Sequence, residues 1–386
     1  MKVITISREY GAGGGEVARK LAKRLGWEVL DRELLHQAAE IEHVPDAELE
    51  RLDEKAISMA DRFSLHPPHR KYLHGLTEAV RRAAERGNVI LVGRGARHLL
   101  GETPDALHLR LVAPLEWRTE RMARREGCSV DAAHERCFEV DHIRELFTRY
   151  FFGPTATQPA QYDLVVNMGR VPLEDVMNMV AAMVHAGPIG NTSTGRRVLT
   201  LSRELGAGDD DFVPALADRL MLNVYDRELL EREAVRLGVP EAELEKIDEQ
   251  PASLFQRFWP GSVFQRYFAA LEQIMRELAD RGDVILVGRG GNCFLRDDPR
   301  AFHVRLIATM PVRVRRVMED RWIGEGVATE LIADTDAQRR SFYESYFGVD
   351  WENPLQYHLT INSDRLALRA VDLVALAAER HWCRTE

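Results

Sequence analysis

The chain repeats itself over a long distance. Thr5–Glu9 (TISRE) returns as Thr200–Glu204 (TLSRE), Asp31–Leu35 (DRELL) as Asp226–Leu230, and Val89–Gly95 (VILVGRG) as Val284–Gly290, each 195 positions later. Arg144, Gly153, Tyr162 and Asn167 meet Arg339, Gly348, Tyr357 and Asn362 at the same offset. Solenoid units run to roughly 20–50 residues, so a period this long means that a complete domain has been duplicated. The expected organisation is a first copy at 1–187, a linker at 188–197 and a second copy at 198–386. Gly187–Gly195 (GPIGNTSTG) supports that division, being rich in turn formers and poor in apolar residues.

Within the first copy, strand and helix periods alternate. Val3–Ser7 is β-branched and short, and a glycine cluster follows at Gly11–Gly15. Val17, Leu21 and Leu25 then fall at helical spacing. Strands are expected at Trp27–Asp31, Asn88–Gly93, Ala106–Ala113 and Tyr162–Asn167. Helices are expected at Asp31–Glu40, Asp46–Ala60, Tyr72–Arg86, Pro114–Glu126, Val130–Phe152 and Leu173–His185, with a break at Ser64–Arg70. Near-continuous apolar strands between helices predict an α/β domain of three layers with a mostly parallel sheet, present twice.

Composition narrows the partners. Lys and Arg number 52 against 61 Asp and Glu, a formal charge of −9. Nucleic-acid-binding surfaces are usually basic, so no nucleic-acid partner is expected. Hydrophobic residues at 45% exclude wholesale disorder. Cys128, Cys137, Cys293 and Cys383 form no C-x-x-C, so neither a disulfide framework nor a protein metal site is expected. No run approaches the roughly 20 apolar residues that cross a bilayer, and no secretory leader is visible. A cytoplasmic location without a membrane partner is the expectation.

A glycine cluster between a strand and a helix can turn several N–H groups toward one anion, and the helix N-terminus adds unpaired donors and partial positive charge. A phosphate site and an unliganded tight turn both satisfy that pattern. A dinucleotide site is a third reading. Gly11-x-Gly13 with Asp31 twenty residues on imitates a ribose-binding arrangement, but Glu16 stands where a third Gly or Ala belongs.

Other residues point elsewhere. ITISREYGAGGGEVARKLAKRL (Ile4–Leu25) resembles the opening of bacterial cytidylate kinases, a branch of the P-loop nucleoside monophosphate kinases. It is more similar still to the cytidylate kinase-like family, in which SREYG-[SA]-GG, YDREL and VGRG recur. LDREL and VGRG follow in order in copy one, YDREL and VGRG in copy two, and a D-x-x-R…YFG or FFG segment closes each. The resemblance implies two P-loop NTPase domains that bind ATP with Mg²⁺ and a nucleoside monophosphate. It implies a phosphate loop at Gly11, Ala12, Gly13, Gly14, Gly15 and Glu16. It also implies an acceptor pocket with Asp31 and Arg32 at its floor, Arg94 on the acceptor phosphate and Asp141 beside it. In its terms Arg118, Arg121, Arg124, Arg125 and Arg144 belong to a lid, with Arg121, Arg125 and Arg144 stabilising the transferring phosphoryl group.

The departures are as informative. A Walker A loop ends in Gly-Lys-[Ser/Thr], and here the lysine position is Gly14 and the hydroxyl position Glu16. Arg8, at the strand end, is the residue expected to restore the missing charge. Copy two carries Asp209, Asp210 and Asp211 in its loop. A carboxylate about 4 Å from a phosphate charge costs roughly 4 kcal/mol at an effective dielectric near 20, so copy two is expected not to bind ATP in the usual manner. Three functions stay open on these residues: a CMP- or dCMP-type kinase, a nucleotide-binding regulator without turnover, and a dinucleotide-dependent oxidoreductase.

Overall fold

A computed structural model describes residues 1–31, 38, 41, 68–101, 103, 105–185, 196–226, 263–366 and 369–385. It divides into two compact units, Met1–Gly187 and Pro188–Glu386. Arg32 and most of the segment expected to hold the helices at Asp31–Glu40 and Asp46–Ala60 lie outside the described residues.

Unit one is built on five parallel strands: β1 (Val3–Arg8), β2 (Glu28–Leu30), β3 (Val89–Val92), β4 (Ala106–Val112) and β5 (Leu164–Asn167), in the order β2-β3-β1-β4-β5. Every residue of β3 and β5 is buried, as expected of parallel strands covered on both faces. The helices are α1 (Gly14–Leu25), α2 (Pro68–Arg86), α3 (Ala96–Leu100), α4 (Leu115–Glu126), α5 (Val130–Phe152) and α6 (Leu173–His185). Leu76, Val80 and Ala83 of α2 pack on Val3, Val89 and Leu91 of the sheet, while α1 packs with α6. The outcome is the three-layer P-loop type of α/β domain, occurring twice.

Two details differ from the sequence reading. The break expected through Arg70 ends earlier, because α2 begins at Pro68. Proline is favoured in a first helical turn, where its missing N–H has no partner to lose. The short helix α3 has too few residues to show a period, and it starts where Gly95 at φ 66° ends a tight turn.

Unit two repeats the plan. Strands β6 (Val198–Arg203), β7 (Asn223–Tyr225), β8 (Val284–Val287), β9 (Ala301–Ile307) and β10 (Leu359–Asn362) pair in parallel in the order β7-β8-β6-β9-β10. Its helices are α7 (Asp209–Leu220), α8 (Val263–Arg281), α9 (Gly291–Phe294), α10 (Met310–Arg321), α11 (Glu325–Phe347), α12 (Ser363–Leu366) and α13 (Arg369–Thr385). Registers match position for position: Val3 faces Val89 and Ala106, and Val198 faces Val284 and Ala301.

Candidate active site

Parallel strands end together, so the loops after β1, β3 and β4 of unit one meet at one edge of the sheet. The loop after β1 turns through Gly11 (φ 82°) and Gly13 (φ 91°), left-handed conformations that favour glycine. Gly13 caps α1 without any side-chain hydrogen bond. Among the described residues no hydrogen bond engages the N–H groups of Gly13, Gly14 or Gly15, while the Glu16 amide folds back to the Gly13 carbonyl (3.0 Å). Free amides at the start of a 12-residue helix fit a phosphate group. Glu16 itself is occupied, 2.6 Å from Arg121 and 3.3 Å from Lys20. Among the described residues no cluster of three or more His, Cys, Asp or Glu forms a metal cage. Mg²⁺ is commonly held through substrate phosphates, waters and one or two carboxylates rather than by such a cage.

The turn after β3 holds three consecutive left-handed residues: Gly93 (φ 73°), Arg94 (φ 55°) and Gly95 (φ 66°). Each glycine makes room for a neighbour. A Cβ on Gly93 would stand 1.7 Å from Arg8 Nη1, and one on Gly95 would stand 2.4 Å from the Phe152 ring. Arg8 therefore runs past the phosphate loop. Its stem lies against Gly14, where a Cβ would come within 2.7 Å of Arg8 Cγ, and its head reaches Asp31 at 3.5 Å. Arg94 approaches the same carboxylate at 4.0 Å. Arg8, expected over the phosphate loop, is thus drawn to the Asp31 side, because that is where the nearby carboxylate stands.

The arginines of α4 and α5 sort by depth. Arg118 is buried and fully engaged: it donates to the carbonyls of Ala113 and Tyr10, both at 2.9 Å, and is paired with Asp141 and with Glu9 (3.4 Å). It is a structural strut, and its place in a lid group does not follow from its spacing. Asp141 uses one oxygen on Arg118 and accepts from the Tyr10 N–H (2.7 Å) with the other. Arg121 donates to the Gly11 carbonyl at 2.7 Å and hangs over Gly13. Arg144 lies near the Arg8 carbonyl (3.4 Å) and over the Tyr10 ring. Arg124 is exposed beside Glu120, and Arg125 is exposed at the rim of the cavity.

These parts enclose a cavity of about 930 Å³. Its wall includes Arg8, Asp31, Arg94, Arg125, Asp141 and Arg144, so six of the expected site residues meet in one space. Gly11–Gly15, Glu16 and Arg121 are not part of that wall, which reaches the loop only as far as Tyr10, the residue before Gly11. The sequence reading missed Ser7, Glu9, His98, Arg110 and Tyr162, which also line it. Glu9 was visible within SREYG, and Arg110 recurs as Arg305 at the repeat offset. Burial raises the Glu9 carboxyl against the opposing pull of Arg118. Burial, helped by Arg97, pushes His98 down to about 4, and its ring stacks on Phe152 at 4.7 Å.

The geometry can be set beside known proteins. The family model described as the cytidylate kinase-like family matches residues 3–170 and 198–365. A cytidylate kinase of Methanopyrus kandleri is 30% identical over 192 residues, covering 47% of this chain and 92% of that protein. One from Natronomonas pharaonis is 31% identical over 186 residues, covering 48% and 90%. A uronate isomerase of Corynebacterium glutamicum is 33% identical over 91 residues, 24% of this chain, which spans only 18% of that protein. A solved structure of an uncharacterized protein from Eubacterium ventriosum is 20% identical and covers 48% of this chain and all of its own, with a TM-score of 0.38. The family model and the two cytidylate kinases support a nucleotide kinase in general. Among the described residues no helix is long and apolar enough to cross a membrane. With the family model matched once in each unit, over well more than half its length, the chain belongs to the cytidylate kinase-like family.

Proposed function

We propose that unit one is a phosphotransferase resembling cytidylate kinase, moving the γ-phosphoryl group of ATP to a nucleoside monophosphate of the CMP or dCMP type. Residues 1–187 and 198–386 are then two kinase-like domains joined by 188–197. The observation that carries the reading is the cavity whose wall brings Arg94, Arg125 and Arg144 together with Tyr10, the residue before a glycine loop whose amides are open.

In this reading the amides of Gly13–Gly15 would hold the ATP phosphates, and Glu16 would be the loop residue that helps hold Mg²⁺ beside them. The metal, when bound, supplies charge neutralisation on the phosphates. Arg94 grips the acceptor phosphate, since a planar guanidinium binds phosphate oxygens two at a time. Asp31 holds Arg94 and Arg8 in place from the floor. Arg121, Arg125 and Arg144 offset charge on the group in flight, and positioning does the remainder without a covalent intermediate. Asp141 acts through Arg118 and the Tyr10 amide rather than on the acceptor directly. The second reading, a nucleotide-binding regulator, is favoured by Gly14 at the lysine position and by the Arg8 head lying at Asp31 instead of over the loop.

The test combines turnover and calorimetry. ADP formation from ATP should require CMP or dCMP in a panel of monophosphates. Arg94→Ala should weaken monophosphate binding by about 1.5–3 kcal/mol, the worth of a charge-assisted hydrogen bond, and leave ATP binding unchanged. Tight binding of both ligands without turnover turns the reading to the regulator. Equal losses for both ligands, or none, remove Arg94 from the acceptor site.

A further inference from the structure

In unit two the counterparts of three cavity residues close around a single side chain. Ser202, Arg305 and Tyr357 match Ser7, Arg110 and Tyr162. Trp351 donates from its indole N–H to Ser202 Oγ (2.7 Å), lies 4.7 Å beneath the Arg305 guanidinium, and accepts from the Tyr357 hydroxyl on its carbonyl (2.9 Å). It is among the largest fully buried side chains. Tyr343 sits beside it at 6.4 Å and donates to Asn292. Arg305 is paired with Glu204 at 3.0 Å.

Unit one keeps the frame and lacks the ring. Trp351 is Ala156 and Tyr343 is Thr148. The half-buried Ser7 hydroxyl makes no hydrogen bond among the described residues, whereas Ser202 accepts from Trp351 and lies 3.3 Å from the Tyr357 hydroxyl. Arg110 forms no ion pair with a carboxylate among the described residues. Its polar contact is a long one to the Tyr162 hydroxyl, 3.3 Å, with the guanidinium 5.3 Å over that ring. Glu9, the counterpart of Glu204, acts on Arg110 through space without a direct ion pair, which leaves the guanidinium face less fully engaged than that of Arg305. In unit two that engagement comes from Glu204 and the indole.

We infer that unit one binds a planar nitrogen heterocycle where unit two carries its own indole. The ring lies with one face on Arg110 and a donor toward Ser7, beside Tyr162 and Thr148, where the chain carries Ala156 in place of unit two's indole. Guanidinium faces stack on flat aromatic rings, so the chemistry suits both occupants. Unit two's counterpart is filled by its own core, so one chain offers one such subsite. The inference rests on the acceptor reading above and deepens it: the phosphate end belongs to Arg94 and the ring end to Arg110.

The test uses the full chain and three probes: CMP, ribose 5-phosphate, which has no base, and free indole. Ala156→Trp copies unit two's occupant into unit one. It should weaken CMP binding at least tenfold, abolish saturable indole binding, and leave ribose 5-phosphate within about twofold. Should that variant not fold, Ser7→Ala removes the hydroxyl at almost no change of volume and should weaken CMP and indole several-fold, with ribose 5-phosphate again unchanged. Indole that binds wild type and is lost in Ala156→Trp, in a chain that binds no CMP, keeps the subsite and rejects the kinase reading. Either folded variant binding CMP and indole as wild type does overturns the subsite, as does a wild type that binds neither.

Discussion

Gly13 and Gly208 adopt nearly the same backbone, φ 91° and 83°, and each caps a 12-residue helix without a side-chain bond. The residues that follow part company: Gly14-Gly15-Glu16 in unit one, Asp209-Asp210-Asp211 in unit two. Asp210 and Asp211 are exposed in the first turn of α7, where negative charge is favoured by the helix dipole. The same acidic residues that suit the helix oppose a bound phosphate. Beneath the loops the units agree. Arg313 is paired with Asp336 and with Glu204 (3.5 Å) and donates to the Leu205 carbonyl (2.8 Å), as Arg118 does in its own setting. Duplication has retained what holds each loop in shape and released what would touch a ligand.

The sharpest way to break this contrast is to carry the charge across. Gly14→Asp should weaken ATP binding by about 4 kcal/mol, roughly a thousandfold, through like charge some 4 Å from a phosphate. Equilibrium dialysis should also find close to one ATP per wild-type chain. Undiminished binding by the variant would remove the first loop from the site.

The shared frame makes the opposite demand, that both units suffer alike. Arg118→Met and Arg313→Met each remove a buried cation shared by two carboxylates, and each should cost about 3 kcal/mol. Urea unfolding with hydrogen exchange assigned to each unit would read this. A loss in only one unit would mean that the two clusters do different work.

The smallest effect separates the units by acid. His98 is neutral in the fold, its pKa near 4, against about 6.5 in an unfolded chain. Between those values the unfolded state holds the extra proton, so this stability is complete above pH 6.5 and is lost as pH falls toward 4. With its partial exposure discounted, about 1 kcal/mol is at stake. Its match, Cys293, is pushed up to about 11 by burial and does not titrate in that window. Unit one should weaken first on acidification, and His98→Phe should remove the slope; an unchanged slope would assign the acid response to other groups.

Much of this was legible in the sequence because period and repetition are local properties. The 195-residue offset, the apolar strands and the limits of α5 and α6 all follow from residues read in order. The roles of individual arginines do not, since Arg118 and Arg121 share a helix face and differ only in what stands opposite. Arg118 meets Glu9 and Asp141, 109 residues before it and 23 after it, and so becomes a strut. Arg8 turned away from the phosphate loop for a like reason, the carboxylate of Asp31. The filled counterpart in unit two was equally hidden, because Trp351 reads as an ordinary apolar residue until Ser202 and Arg305 are seen around it.

The ring of Phe152 on the bare backbone of Gly95, repeated by Phe347 on Gly290, fixes one end of a long helix. A side chain at either glycine would push that ring away, since a Cβ would stand 2.4 or 2.5 Å from it. A movement of α5 that preserves the contact would be a rotation about its last turn, carrying with it α4, which packs on Ala133 and Cys137. The helix then behaves as a lever with its fulcrum beside the acceptor turn. At 1.5 Å per residue its 23 residues span about 35 Å, so a swing of about 10° would carry the Val130 end about 6 Å while the turn at Arg94 stays still.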